Sequence, residues 1–279
     1  MLRVASMSIE YNLSTGHIAL KNLPNVRDLG YLMTERGERI VPQRLIRAGA
    51  LGEASDGDIE ILVNGCQIRT IIDLRTPEES AQNPDPRNKM PQVDFFDAPI
   101  LGFSTTGITR EDGLLGMMKS YNAITRKDPR QLMTEVYENM LLSETGLKGF
   151  SRFFEILTSK DEGAILWHCS AGKDRAGLAA VLLLTVLGVS RSTIVADYLA
   201  TNLNLAGRAV DLKKHIPKGL LSKAVLKSLE VFNSADEAFL DAGIMAVKKE
   251  YESLNGYLKN ALGVDDDKRK LLYERFVCL

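Results

Sequence analysis

The stretch His168-Cys169-Ser170-Ala171-Gly172-Lys173-Asp174-Arg175-Ala176-Gly177 concentrates the chemistry this sequence can offer. Cys169 is a nucleophile when ionised. Arg175, six positions on, carries paired N–H donors that fit the oxygens of a phosphate. The residues between them are small, charged or Gly, which suits a tight turn. Such a turn leaves backbone N–H groups unpaired and aims them at one spot, and a helix start adds its own positive field there. Those donors and the guanidinium both favour a thiolate. The spacing describes a loop that holds a phosphate dianion against a nucleophilic sulfur.

Two plainer readings compete. A lone Cys between a strand and a helix is often a small buried hydrophobe, but that leaves Gly172, Lys173 and Arg175 on one turn by coincidence. A nucleotide-binding loop around Gly172-Lys173 needs Gly five places earlier and Ser or Thr after the Lys. The sequence has Trp167 and Asp174 at those places.

On either side of this turn, Ala164 to Trp167 is an apolar run that reads as a buried strand, and Ala176 to Leu187 is apolar over a helical length. The turn between them resembles the signature of the cysteine-dependent protein tyrosine phosphatases, His-Cys-x5-Arg. Its fuller form resembles the bacterial tyrosine/phosphoinositide branch, whose loop is typically HCxAGKDRTG. Asn25-Val26-Arg27-Asp28-Leu29-Gly30 resembles that branch's NFRDLGG, and Thr70-Ile71-Ile72-Asp73-Leu74-Arg75 its strand ending in DLR. The likeness runs in order from about Leu23 to the C-terminus.

The resemblance implies a tyrosine-phosphatase-like α/β fold and phosphomonoester hydrolysis through a phosphocysteine on Cys169, without metal or other cofactor. Arg175 and the backbone of Ser170, Ala171, Gly172, Lys173, Ala176 and Gly177 would hold the substrate. Two carboxylates compete as general acid. Asp174, inside the loop, is favoured, and Asp73 lies at a neighbouring strand end, where α/β sheets place ligands. The alternative for Asp73 is a capping or Arg75-paired carboxylate. Lys173 adds a second cation, as in the superfamily's phosphoinositide phosphatases, so activity on phosphoinositides is expected beside phosphotyrosine, with phosphoserine or phosphothreonine as further substrates. The alternative is a Lys173 that only pairs with an acid such as Asp174. Position 176 is Ala where the family usually has Thr or Ser, a hydroxyl that helps the thiolate leave phosphocysteine. A slow enzyme, or a phosphate-binding pseudophosphatase, is therefore the rival function. Sulfur transfer through a cysteine persulfide is a third class, disfavoured by the Gly172-to-Arg175 run.

Composition bounds the rest. The 279 residues permit one large domain, and 45% hydrophobic with 25% charged residues is ordinary for a soluble globular chain. A net charge of −1 gives no case for nucleic acid. Three cysteines, Cys66, Cys169 and Cys278, are too scattered for a disulfide framework, and with three histidines they show no zinc spacing. No run approaches a membrane span. Met1 to Glu10 has no sustained apolar core, so a cytoplasmic protein is expected, with export lacking a recognisable leader as the alternative. Oligomeric state has no signature here.

Read in order, the chain predicts a short edge strand at 17–20 and a loop at 22–30, in which Arg27 and Asp28 either brace the loop or stand beside the phosphate. A strand at 44–49 leads to a helix near 56–64 capped by Ser55. Strands follow at 67–74 and 92–100, separated by an exposed Pro-rich loop at 77–91. A flexible segment at 101–113 is a candidate cover for the site. Helices are expected at about 114–125, 130–142, 147–158, 175–187 and 190–203. The basic segment at about 205–231 is either a solvated helical face or a helical lid. From Ser234 to Cys278 the pattern is helical, broken at Asn255-Gly256. The whole reads as a single domain over 1–279: a mainly parallel central sheet flanked by helices, with a helix-rich C-terminal third.

Overall fold

The computed structural model describes residues 11–12, 16–23, 25–102, 128–206 and 223–278. Most of the expected cover at 101–113, the helix at about 114–125 and most of the lid segment at 205–231 lie outside these residues.

One sheet organises the fold. Its order is β1 (Tyr11–Asn12), β2 (His17–Ile18), β3 (Arg27–Asp28), β5 (Leu45–Ala48), β8 (Ala164–His168), β6 (Ile68–Asp73) and β7 (Asp94–Asp97). The four longest strands, β5, β8, β6 and β7, run parallel, and the two-residue strands extend the sheet antiparallel beyond β5. The segment at 17–20 is thus an inner strand of that extension, with β1 at the edge. β4 (Arg39–Ile40) pairs separately with the C-terminal β9 (Val277–Cys278), so the chain leaves its last helix one residue pair earlier than the helical pattern suggested.

β8 is central, and all five of its residues are buried. Its side chains alternate between two cores, as strand geometry dictates. Ala164 and Leu166 face one with Ile59, Leu62 and Val63, from α1 (Asp56–Glu60) and the turn that continues it. Ile165 and Trp167 face the larger core, with Phe150, Phe153 and Phe154. These come from α4 (Glu144–Ser159), which follows α3 (Pro129–Leu142).

β8 runs into α5 (Arg175–Val186), whose residues are buried except Thr185. A helix apolar all round belongs inside a core. Trp167 ties strand to helix by donating its Nε1–H to Ala176 O at 3.0 Å. α6 (Arg191–Asn204) follows under the expected Ser190 cap.

The 77–91 stretch departs from the loop reading. It opens with α2 (Pro77–Gln82), capped by Thr76, with Pro77 in the first turn and Glu79 completing a capping box. The C-terminal third holds α7 (Lys223–Asn233), α8 (Glu237–Tyr251), α9 (Leu254–Asn260) and α10 (Asp266–Phe276). Its break falls at Glu252, φ +65°, rather than at Asn255-Gly256, which lie within α9.

Candidate active site

The turn from Cys169 to Asp174 joins the C-terminal end of β8 to the first residue of α5. Its backbone orientation follows from its carbonyls. Ser170 O accepts from Ala50 N–H at 3.1 Å. Ala171 O accepts from Asn25 Nδ2 at 3.0 Å. Arg47 Nη2 donates to Gly172 O at 2.9 Å and to Lys173 O at 3.3 Å. All four carbonyls are held from outside the loop. In a planar trans peptide the next N–H points the opposite way, so the amides of Ala171, Gly172, Lys173 and Asp174 turn to the inside. Gly172 makes this possible, since it has φ +68° and a Cβ there would lie 2.6 Å from the backbone of Ala48.

Arg175 is aimed by Glu79. Its Nη1 bonds Glu79 Oε2, its Nη2 donates to Glu79 Oε1 at 2.8 Å, and Nη2 also reaches Ser170 Oγ at 3.0 Å. Ser170 Oγ in turn donates to Glu79 Oε1 at 3.0 Å. Burial works against the Glu79 carboxylate, but the Arg175 fork outweighs it and holds Glu79 below its ordinary range. Cys169 is 2% exposed, with Arg175 and Ser170 nearly as buried. The nucleophilic atom, the guanidinium and the inward amides thus share one turn. Chemically, such a turn can hold a tetrahedral oxyanion and favour charge that develops on it.

The two candidate acids have different surroundings. Asp174 Oδ1 accepts from Tyr137 Oη and from Lys173 Nζ, each at 2.6 Å. Both donors use the same oxygen. Tyr137 Oη also meets Tyr198 Oη at 2.6 Å. Asp73, by contrast, takes the Arg75-paired alternative. It accepts from Arg75 Nε at 2.9 Å and Nη2 at 2.7 Å, and from Ser80 Oγ at 3.1 Å. Burial would raise its pKa, but His168 and Arg75 outweigh that and keep it well below the usual carboxylate range. A carboxyl so firmly ionised is poorly suited to give up a proton.

Asp73 belongs to a buried group behind Cys169. Arg75 also bonds Asp85 Oδ1 at 3.0 Å, and His168 Nε2 lies 3.1 Å from Asp85 Oδ2. Burial alone would lower the His168 pKa, yet Asp73 and Asp85 hold it above its ordinary value. Asp73, Asp85 and His168 have donor atoms close enough to share a metal ion. Arg75 already bonds both carboxylates there, so a guanidinium provides the cation this cluster calls for.

Lys173 likewise takes the acid-paired alternative. Besides Asp174, its Nζ reaches Ser234 O at 3.2 Å, and its side chain is 3% exposed. Arg27 is the loop brace of the two readings, bonding Asn25 and Asp197. The Asp28 carboxylate accepts from Gly30 N–H at 2.8 Å and Gln43 N–H at 2.7 Å. Burial pushes its pKa up to about 6. Ala176 and Gly177 are buried in the first turn of α5, where a Cβ on Gly177 would come within 3.0 Å of Arg47 Nη2.

Sequence reading missed Glu79, Asn25, Arg47, Asp85 and Tyr137. Glu79 had a local signal, the Thr76-Pro77-Glu78-Glu79 capping box, and Asn25 opens the motif quoted for the resemblance. The others are joined to the loop by long-range contacts.

A mainly parallel sheet whose central strand enters a Cys-x5-Arg turn and then a buried helix is the frame of a cysteine-dependent phosphatase. The chain belongs to the tyrosine phosphatase family, whose sequence model matches residues 18–278. A Cupriavidus necator protein assigned by name to the tyrosine-protein phosphatases is 31% identical over 253 residues, covering 89% of this chain and 85% of its own. The triple specificity protein phosphatase PtpB of Mycobacterium tuberculosis is 25% identical over 271 residues, covering 88% of this chain and 94% of its own. The solved structure of Pseudomonas aeruginosa TpbA with phosphotyrosine aligns over 88% of this chain and 99% of its own. Identity is 11% and the TM-score 0.27. No helix among the described residues is long and apolar enough to cross a membrane.

Proposed function

We propose that this phosphatase hydrolyses phosphotyrosine through a phosphocysteine on Cys169, with Arg175 and the inward amides as the oxyanion holder and Asp174 as the general acid. The reading is carried by one observation: the Glu79 fork that aims Arg175 across the same turn whose carbonyls are held outward.

In the first step the Cys169 Sγ–P bond forms as the P–O ester bond breaks. The proton on Asp174 passes to the departing oxygen. In the second, Asp174 takes a proton from water as the water oxygen bonds phosphorus and the Sγ–P bond breaks. The positive field comes from the chain itself, so the step needs no metal.

The name of the Mycobacterium tuberculosis relative gives that protein three specificities. For this chain we place phosphotyrosine first. A phosphoinositide preference would draw on Lys173, whose ammonium is engaged by Asp174 and Ser234. Lys173→Ala should therefore lower rates on phosphopeptide and phosphoinositide alike; a selective loss of lipid hydrolysis would restore the lipid reading. The deciding assay runs phosphotyrosine, phosphoserine and phosphothreonine peptides and phosphoinositides against wild type and Cys169→Ser, with chelator present. Metal-free hydrolysis of phosphotyrosine peptide, abolished in Cys169→Ser, is expected. Binding of the phosphopeptide without turnover would instead make the chain a pseudophosphatase.

A further inference from the structure

Three of the four outward carbonyls trace back to a single carboxylate. Arg47 Nη2 holds Gly172 O and Lys173 O, while its Nη1 bonds Asp197 Oδ2 at 2.6 Å. Asn25 Nδ2 holds Ala171 O, while its Oδ1 is fixed by Arg27 Nη1, and Arg27 Nε bonds Asp197 Oδ1 at 3.2 Å. Arg27 Nη2 adds bonds to Asp197 O and Thr201 Oγ1, both at 3.1 Å, which fix it against α6. Both arginines are fully buried and the Asp197 side chain nearly so. Two buried guanidinium groups this close repel each other, and the Asp197 carboxylate between them is what lets them coexist. One carboxylate against two guanidinium groups also leaves a positive charge in excess at the back of the turn.

We infer that Asp197 is a positioning residue for the phosphate loop. It holds Arg47 and Arg27 so that the carbonyls of Ala171, Gly172 and Lys173 stay outward and the amides of Gly172, Lys173 and Asp174 stay aimed at the bound oxyanion. The inference rests on the phosphatase reading above. A buried ion pair kept only for stability would raise the melting temperature and nothing else. Here the pair is connected, bond by bond, to the donors that meet the developing charge, and amides that rotate away lose more in the transition state than in the ground state.

The test uses the full chain and tungstate as a tetrahedral oxyanion. Wild type, Asp197→Asn and a core control, Leu272→Ala on α10, are compared by calorimetric titration with tungstate, aryl phosphate kinetics and the ratio of Cys169 alkylation by iodoacetate to that by iodoacetamide. Leu272 is fully buried, so its truncation costs stability at a site remote in role. Folded Asp197→Asn should bind tungstate about tenfold or more weakly and lose about 10–100-fold in kcat with a smaller change in KM. Its iodoacetate preference should fall, while Leu272→Ala keeps wild-type values of all three. Wild-type tungstate affinity and kcat in folded Asp197→Asn would overturn the inference. Should that variant not fold, Arg47→Lys decides, because an ammonium keeps the charge beside Asp197 but lacks the fork that also spans two carbonyls. Weakened tungstate binding in Arg47→Lys supports the inference and unchanged binding overturns it. A wild-type chain that binds no tungstate would instead strike the phosphatase reading, and the inference with it.

Discussion

Glu79, in the first turn of α2, grips both terminal nitrogens of Arg175, in the first turn of α5, and shares the Ser170 hydroxyl with it. A guanidinium held on its far side by a fixed carboxylate cannot swing out of the loop. Glu79→Gln keeps the shape but removes the charge. It should lower kcat on aryl phosphates by about 10–100-fold and cost roughly 3 kcal/mol, because Arg175 stays buried without its counter-charge. Steady-state kinetics with urea unfolding checks both; unchanged kcat would show that Arg175 needs no such hold.

Asp174 and Asp73 separate by leaving group. Asp174→Asn should slow an aryl phosphate with a poor leaving group far more than one with a good leaving group, since only the former needs the proton. Asp73→Asn, which breaks a buried pair with Arg75, should lower stability and reduce both rates equally. The reverse pattern would assign the acid to Asp73.

Much of this site was legible because its chemistry is contiguous. Cys169, Lys173, Asp174 and Arg175 share one turn, and the apolar runs on either side fix a strand and a helix by length alone. The Arg75 partner of Asp73 was also within reach, two residues away. Glu79 was obscured by the prolines around it, although Pro77 sits in the first helical turn, where its missing N–H costs nothing. The Asp197 bonds to Arg27 and Arg47 span 170 and 150 positions. No local pattern encodes contacts made only when α6 packs against β3 and β5.

Asp28 gives the fold a pH signature. Its pKa in the fold is about 6, above the unfolded value, so the folded state binds the proton more tightly. Its contribution is greatest at low pH and is lost as pH rises from about 4 to about 6, a swing of about 3 kcal/mol. Asp28→Asn lacks this titration, so its stability relative to wild type should rise over that window. Urea unfolding across the range measures the difference, and a flat difference would refute it.

Ala176 is fully buried, and we propose that a hydroxyl at this position would assist thiolate departure. Ala176→Thr should speed breakdown of the phosphocysteine and raise steady-state turnover, at a packing cost of about 1–3 kcal/mol. Turnover that does not rise would mean that phosphocysteine hydrolysis is already fast.

The proposed intermediate is a covalent bond between the Cys169 sulfur and phosphorus. Rapid acid quench of wild type with a phosphotyrosine peptide, followed by peptide mass mapping, looks for that bond. One phosphoryl group should appear on the Cys169 peptide, form no more slowly than phosphate is released, and be absent from Cys169→Ser. Phosphate release at the wild-type rate from Cys169→Ser, or a phosphoryl group on any other residue, would contradict the account.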